Sequence, residues 1–132
     1  MNDDVLRVLV ADDDPDFRLL MKVQLGSLEG IEVVGAAADG QEALDLVEAD
    51  PPDAVVMDLL MPNMNGFEAI ERLRRAHPRI GIVAYSAVAG EYARTQTAAL
   101  GVELVLKSGS HADVLDAVRR SVERARAAAD GT

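Results

Sequence analysis

The sequence predicts an α/β domain: a five-stranded, doubly wound parallel sheet with helices on both faces. Three observations predict it. Five short apolar runs alternate with five amphipathic stretches across the 132 residues, and strand-then-helix repetition implies a parallel sheet covered on both sides. The runs are rich in β-branched residues, as strands buried on both faces are. Four of them finish on a residue able to ionise or hydrogen-bond, and the carboxyl ends of the strands are where ligands sit in such a sheet.

The first run is Leu6-Arg7-Val8-Leu9-Val10. After it, Phe17, Leu20, Met21, Leu25 and Leu28 fall at helical spacing, with Asp14 as N-cap and Pro15 at the first helical position. A weaker run spans residues 31–36, and Asp39-Gly40-Gln41-Glu42 then reads as a capping box opening a second helix. The third run, residues 54–57, precedes a helix that starts after Gly66 and is marked by Phe67, Ile70, Leu73 and Arg74. The fourth, residues 80–85, leads to a weaker Ala-rich helix over 91–100. The fifth, residues 103–106, leads to a long helix over 110–128. There Ser110 and Asp113 serve as cap and box partner, and Leu115, Val118, Val122 and Ala125 share one face. Crossovers should be right-handed. No linker or low-complexity tract interrupts the pattern. We expect one domain over 1–132, with its core at about 5–125 and a frayed tail at 127–132.

Composition excludes several classes. Apolar residues make up 49% and aromatics 3%, so the core rests on Val, Leu, Ile and Ala. The absence of cysteine removes disulfides, thiolate metal sites and Cys nucleophiles, and fits a reducing compartment. There is no basic signal-peptide start and no apolar run near the ~20 residues that cross a bilayer, so a cytoplasmic chain without membrane contact is expected. Thirteen basic residues against 23 acidic ones give a net charge of -10, which repels nucleic-acid phosphates.

The strand ends concentrate part of that charge. The first run ends in Asp12-Asp13-Asp14, the third in Asp58, the fourth in Ser86 and the fifth in Lys107. If the strand order is 2-1-3-4-5, the first and third strands are neighbours, and Asp12, Asp13 and Asp58 converge. Carboxylates that close do not all stay ionised without a cation between them. A set of hard oxygen donors without His or Cys points to Mg²⁺ or a similar ion such as Mn²⁺. Lys107 and Ser86 could contact phosphoryl oxygens bound there, and one carboxylate could act as nucleophile toward phosphorus. Taken singly, each residue has a duller explanation. Asp14 is a cap, the Asp triplet a solvated turn, Lys107 a surface lysine, Ser86 an ordinary strand end. The duller explanation must hold four times independently to remove the site.

These residues resemble a known family. Val-Leu-Val-Ala-Asp-Asp-Asp-Pro at 8–15 is similar to the first strand and acidic pair of response-regulator receiver domains. Pro-Asp-Ala-Val-Val-Met-Asp-Leu-Leu-Met-Pro-Asn-Met-Asn-Gly at 52–66 resembles their phosphoacceptor segment. Ile-Val-Ala-Tyr-Ser-Ala at 82–87 and Val-Leu-Lys at 105–107 resemble their fourth and fifth strand ends. The resemblance implies a flavodoxin-like fold and a two-component signalling switch rather than an enzyme. Asp58 would be the phosphoacceptor. Asp13 would be the main metal ligand, joined by Asp12, by Asp58 and by the backbone carbonyl of Leu60. Ser86 and Lys107 would bind the phosphoryl group, and the small Ala87 would leave the path to Asp58 open. The donor would be a sensor histidine kinase or phosphotransfer protein docking near Phe17, Arg18 and Met21, and the output an unnamed downstream protein. Leu60 and Val88 sit where the family tunes the phosphoryl lifetime. Both are apolar, so slow loss is expected.

The sequence also departs from the family pattern. Leu104 stands where a Tyr or Phe usually turns inward, the stretch 101–107 looks one residue short, and Ser108-Gly109 replaces the usual Pro after Lys107. Tyr85 or Tyr92 could substitute for the aromatic, although Tyr85 should face the opposite side from Ser86. A receiver that binds a partner without phosphorylation is therefore an alternative. A remoter one is a haloacid-dehalogenase-like phosphatase, since Asp12-x-Asp14 resembles that nucleophile motif. Pro15 follows where a Gly-Thr pair belongs, and no acidic pair follows Lys107 before the last helix. Nucleotide-binding glycine motifs are absent.

Overall fold

The structure, a computed structural model, describes residues 5–61, 63–87 and 90–131. The elements run β1 (Leu6–Ala11), α1 (Pro15–Gly26), β2 (Ile31–Ala37), α2 (Gly40–Ala49), β3 (Ala54–Asp58), α3 (Gly66–Ala76), β4 (Gly81–Ser86), α4 (Glu91–Leu100), β5 (Glu103–Leu106) and α5 (His111–Ala129). The five strands form one sheet with every pair parallel, as the sequence pattern predicts, in the order β2-β1-β3-β4-β5 expected of a five-stranded doubly wound fold.

Side chains alternate across the sheet because the strand period is two. Leu9, Ala11, Val55, Met57, Ile82 and Ala84 face a core closed by α2 and α3, with α4 packed at its margin. Val8, Val10, Val56, Val83 and Tyr85 face a second core closed by Met21 and Leu25 of α1 and by Val114, Val118 and Val122 of α5. Burying each of these larger side chains is worth about 1.5–3 kcal/mol. The weakness of the second run has a structural reason. β2 and β5 are the edge strands, and their residues are mostly half-buried.

The helix starts follow the sequence chemistry. The Asp14 side chain accepts from the N–H groups of Asp16 and Phe17, with Pro15 opening α1. Asp39 Oδ1 accepts from Glu42 N at 2.8 Å, but the Glu42 carboxylate accepts from Ala38 N at 2.6 Å. The returning bond of the expected box thus lands one residue earlier. Ser110 Oγ accepts from Asp113 N at 3.2 Å. The start of α3 is capped by Asn65, whose side chain accepts from Glu68 N, and Gly66 is already helical.

Two expected ends move. α1 stops at Gly26 instead of reaching Leu28, because Ser27 closes it with its N–H on Val23 O and its hydroxyl on Gln24 O. α5 continues to Ala129, into the stretch read as a frayed tail. Alanines favour the helix there, and Arg126 and Asp130 are tied to Asp53 and Arg79.

Candidate functional site

The register brings the polar strand ends to one level. Ala11 pairs with Met57, Asp58 with Tyr85, and Ser86 with Leu106. One residue further, Asp12 donates its N–H to Ala37 O, Leu59 to Tyr85 O and Lys107 to Ser86 O. Asp12 and Asp58 therefore emerge side by side, with Ser86 and Lys107 next along the sheet. Carboxylate oxygens of Asp12, Asp13 and Asp58 lie within 4.8 Å of one another. Asp12 is 0% and Asp58 4% exposed, and Ser86 is buried. Asp13 and Ala87 face solvent.

Gly66 lets α3 start against this cluster. A Cβ there would lie 2.2 Å from the Asp58 carbonyl oxygen and 2.7 Å from Leu59 Cα. Only a residue without a side chain fits so close to the backbone that carries Asp58.

Lys107 ties the cluster together. Its ammonium donates to Asp12 Oδ2 at 2.7 Å and to Asp58 Oδ2 at 3.2 Å. It also lies 4.5 Å from the Phe17 ring centroid and 5.7 Å from that of Tyr85, the two rings meeting edge to face at 5.6 Å. Asp58 Oδ1 accepts from Leu60 N at 3.3 Å, and Asp12 Oδ1 accepts from Asp14 N at 2.9 Å. Arg18 holds the Asp12 backbone by donating to its carbonyl at 2.7 Å.

The electrostatics follow from this crowding. Burial, and then the charge of Asp12, push the Asp58 carboxyl above its ordinary value against the pull of Lys107 and the Leu60 N–H. Burial works against the Lys107 ammonium, but the hydrogen bond to Asp12 and the charges of Asp58 and Asp12 outweigh it and hold its pKa above the usual. Burial and the same two carboxylates push Tyr85 up to about 12. One ammonium cannot neutralise three carboxylates. The remaining negative charge, the all-oxygen donor set and the solvent-facing Asp13 fit a hard divalent cation.

Other expected residues are placed less centrally. The Leu60 side chain is 70% exposed. Leu104 pairs with Ala84 and lines a cleft with Arg94, Thr97, Ala98, Val102 and Leu106. Tyr85 packs with the α1 and α5 core, its hydroxyl 3.3 Å from Met21 Sδ. Tyr92 is exposed and meets the Phe67 ring edge to face at 5.7 Å. Neither tyrosine lies among the residues lining the Leu104 cleft. Val88 lies outside the described residues.

On α1, Met21 is 0% exposed and belongs to the core, so it offers no docking surface. Phe17 packs partly against that core and Tyr85. Leu20, counted on the apolar face from its spacing, is exposed, as are Leu19 and Val23. The contact between Phe17 and Lys107 was not legible in the sequence, because its partners are far apart along the chain and carry no shared motif.

Comparison with known proteins adds the family context. The profile described as "Response regulator receiver domain" matches residues 8–119. The response regulator protein VraR of Staphylococcus epidermidis is 34% identical over 119 residues, covering 89% of this chain and 57% of VraR. A protein-glutamate methylesterase/protein-glutamine glutaminase of Geobacter metallireducens is 45% identical over 74 residues, or 56% of this chain and 21% of that protein. The chain thus spans about a fifth to little over half the length of these relatives. The response regulator domain of Thermotoga maritima CheB superimposes with a TM-score of 0.81 at 29% identity, covering 90% of this chain and 97% of that one.

Proposed function

The chain belongs to the response regulator receiver domains, and from that premise we propose that it is a phosphorylation-dependent switch of a two-component system. Asp58 takes a phosphoryl group from a phosphohistidine on a sensor histidine kinase or phosphotransfer protein. The observation that carries this reading is the Asp58 carboxylate, buried beside Asp12 and held by the Lys107 ammonium.

An Asp58 oxygen attacks phosphorus opposite the imidazole nitrogen. The P–O bond forms, the P–N bond breaks, and its electron pair stays on the imidazole. Asp12, Asp13, Asp58 and the Leu60 carbonyl would hold Mg²⁺ or Mn²⁺, which when bound supplies positive charge to the phosphoryl oxygens. Lys107 gives up its bond to Asp58 Oδ2 and takes a phosphoryl oxygen instead. Ser86 donates its hydroxyl to another, and Ala87 leaves room for the donor. Water later attacks the phosphorus, the P–O bond to Asp58 breaks, and inorganic phosphate leaves Asp58 as carboxylate. Exposed apolar Leu60 hinders that water and lengthens the phosphorylated state.

The phosphoryl group adds charge and favours a conformation in which Ser86 and Lys107 close on it. A downstream protein that prefers this conformation is selected by population shift. Cytoplasmic kinase contact is part of this proposal. Nucleic-acid contact is not, because a net charge of -10 opposes it. Among the described residues no helix is long and apolar enough to cross a membrane.

The test is intact mass after incubation with acetyl phosphate, with and without Mg²⁺, alongside Asp58→Asn. One added phosphoryl group that needs Mg²⁺ and disappears in the variant is expected. A second reading, partner binding without phosphorylation, is favoured by Leu104 in place of the usual aromatic. Mg²⁺ binding without any added mass, and without a response to beryllium fluoride, would replace the first reading with the second.

A further inference from the structure

The stretch joining β3 to α3 carries Leu60, whose carbonyl would be a cation ligand in a receiver domain switch. Leu60 itself is poorly held. Its side chain is exposed and its N–H bond to Asp58 is long at 3.3 Å. What fixes the stretch lies on either side. Met61 and Met64 are buried in the core under α2 and α3, and Gly66 N donates to Leu59 O at 3.0 Å. Between the two methionines the backbone turns through Asn63, whose φ of 66° is left-handed, a conformation that Asn tolerates better than most residues. Asn63 Nδ2 then donates to Asp39 Oδ2 at 3.0 Å.

Asp39 is itself immobilised. Its other oxygen caps α2 through Glu42 N, and the next residue, Gly40, leaves no clearance. A Cβ there would lie 2.6 Å from Met64 O and 3.1 Å from Met64 Cβ. The two N–H donors hold the Asp39 carboxyl below its usual value, that of Glu42 first and that of Asn63 second. One carboxylate thus joins the start of α2 to the turn beside the phosphorylation site.

We infer that Asp39 and Asn63 are positioning residues, a tether that sets where the β3–α3 stretch presents the Leu60 carbonyl. The inference rests on the receiver reading above. A purely local role for Asp39 as an α2 cap would leave Asn63 without consequence for the site.

The experiment compares the full chain with Asn63→Gly, Asn63→Asp and the double variant Asp39→Asn/Asn63→Asp. Glycine accepts the left-handed turn and removes only the amide. Aspartate sets two carboxylates against each other. The double variant restores a donor and an acceptor with the wild-type net charge, and Asn remains a good N-cap. Mg²⁺ affinity is read by calorimetry, and amide hydrogen exchange around residues 59–66 is read without metal. Asn63→Gly should weaken Mg²⁺ binding about fivefold and speed exchange in that stretch. Asn63→Asp should speed exchange at least as much, and the double variant should return within about twofold of wild type. Unchanged affinity and exchange in Asn63→Gly, or a double variant no better than Asn63→Asp, overturns the tether. A wild-type chain that binds no Mg²⁺ overturns the receiver reading instead, and the metal-free exchange then judges the tether alone.

Discussion

Replacement of Gly66 by Ala tests how the phosphoacceptor is seated. In an ordinary helix the change stabilises by up to about 1 kcal/mol, since Ala is the better helix former. Here the new Cβ would lie 2.2 Å from the Asp58 carbonyl oxygen, 2.7 Å from Leu59 Cα and 3.0 Å from the Asp58 carbonyl carbon. All three are backbone atoms of β3 or its continuation, so no side chain can rotate away. Either α3 lifts from the sheet, exposing part of Ala69, Ile70 and Leu73, or the end of β3 shifts and carries Asp58 with it. Overpacking of this kind costs about 1–3 kcal/mol, and backbone contacts place it at the upper end. After the helix-propensity gain, a net loss of about 2 kcal/mol remains. With a urea slope of about 1–2 kcal/mol per molar, the unfolding midpoint falls by about 1–2 M. Phosphorylation by acetyl phosphate should fall with it, because the Asp58 carbonyl cannot move without its carboxylate. A Gly66→Ala chain with the wild-type midpoint and phosphorylation rate would refute this account of the helix seat.

Two further predictions come from the charges. Asp58 is held above its ordinary value by burial and Asp12, so in metal-free buffer its ionised form costs stability. That cost is present above the raised value and is relieved as pH falls through it toward the ordinary 3.8. Asp58→Asn should therefore raise the urea midpoint at pH 7 without Mg²⁺, and the gain should shrink on acidification. An unchanged or lower midpoint at pH 7 contradicts it. The chain has two tyrosines, so Tyr92→Phe leaves Tyr85 as the only one. Ultraviolet titration of that variant should show ionisation near about 12. Ionisation at the ordinary value of 10.0 would mean that Tyr85 is not buried against Asp12 and Asp58.

Much of this was legible in the sequence because it is local or periodic. A run such as Ala54-Val55-Val56-Met57 alternates sides only as a strand, and Asp14-Pro15 and Ser110 cap helices through neighbours within three residues. The carboxylate cluster was legible because parallel strands in this order end at one level, so strand-end residues can be compared without coordinates. Besides the contact of Phe17 with Lys107, three things were not legible. Leu20 has the spacing of a core residue yet is exposed, because spacing defines a stripe and not its width. The bond of Asn63 to Asp39 joins two turns with no periodic signal. The place of Tyr85 against Met21 depends on which helices cover which face.

The sequence by itself determined the α/β class and the residues Asp12, Asp13, Asp58, Ser86 and Lys107 that stand at the strand ends. These follow from hydrophobic period and short-range capping, which act within a few residues of chain. The tertiary structure alone decided that the Lys107 ammonium bridges Asp12 and Asp58, that Phe17 and Tyr85 flank it, and that Gly66 must lie against the Asp58 carbonyl. Those are contacts between segments far apart in sequence. Their distances are set by how two layers of helices pack on one sheet, and no local pattern encodes that packing.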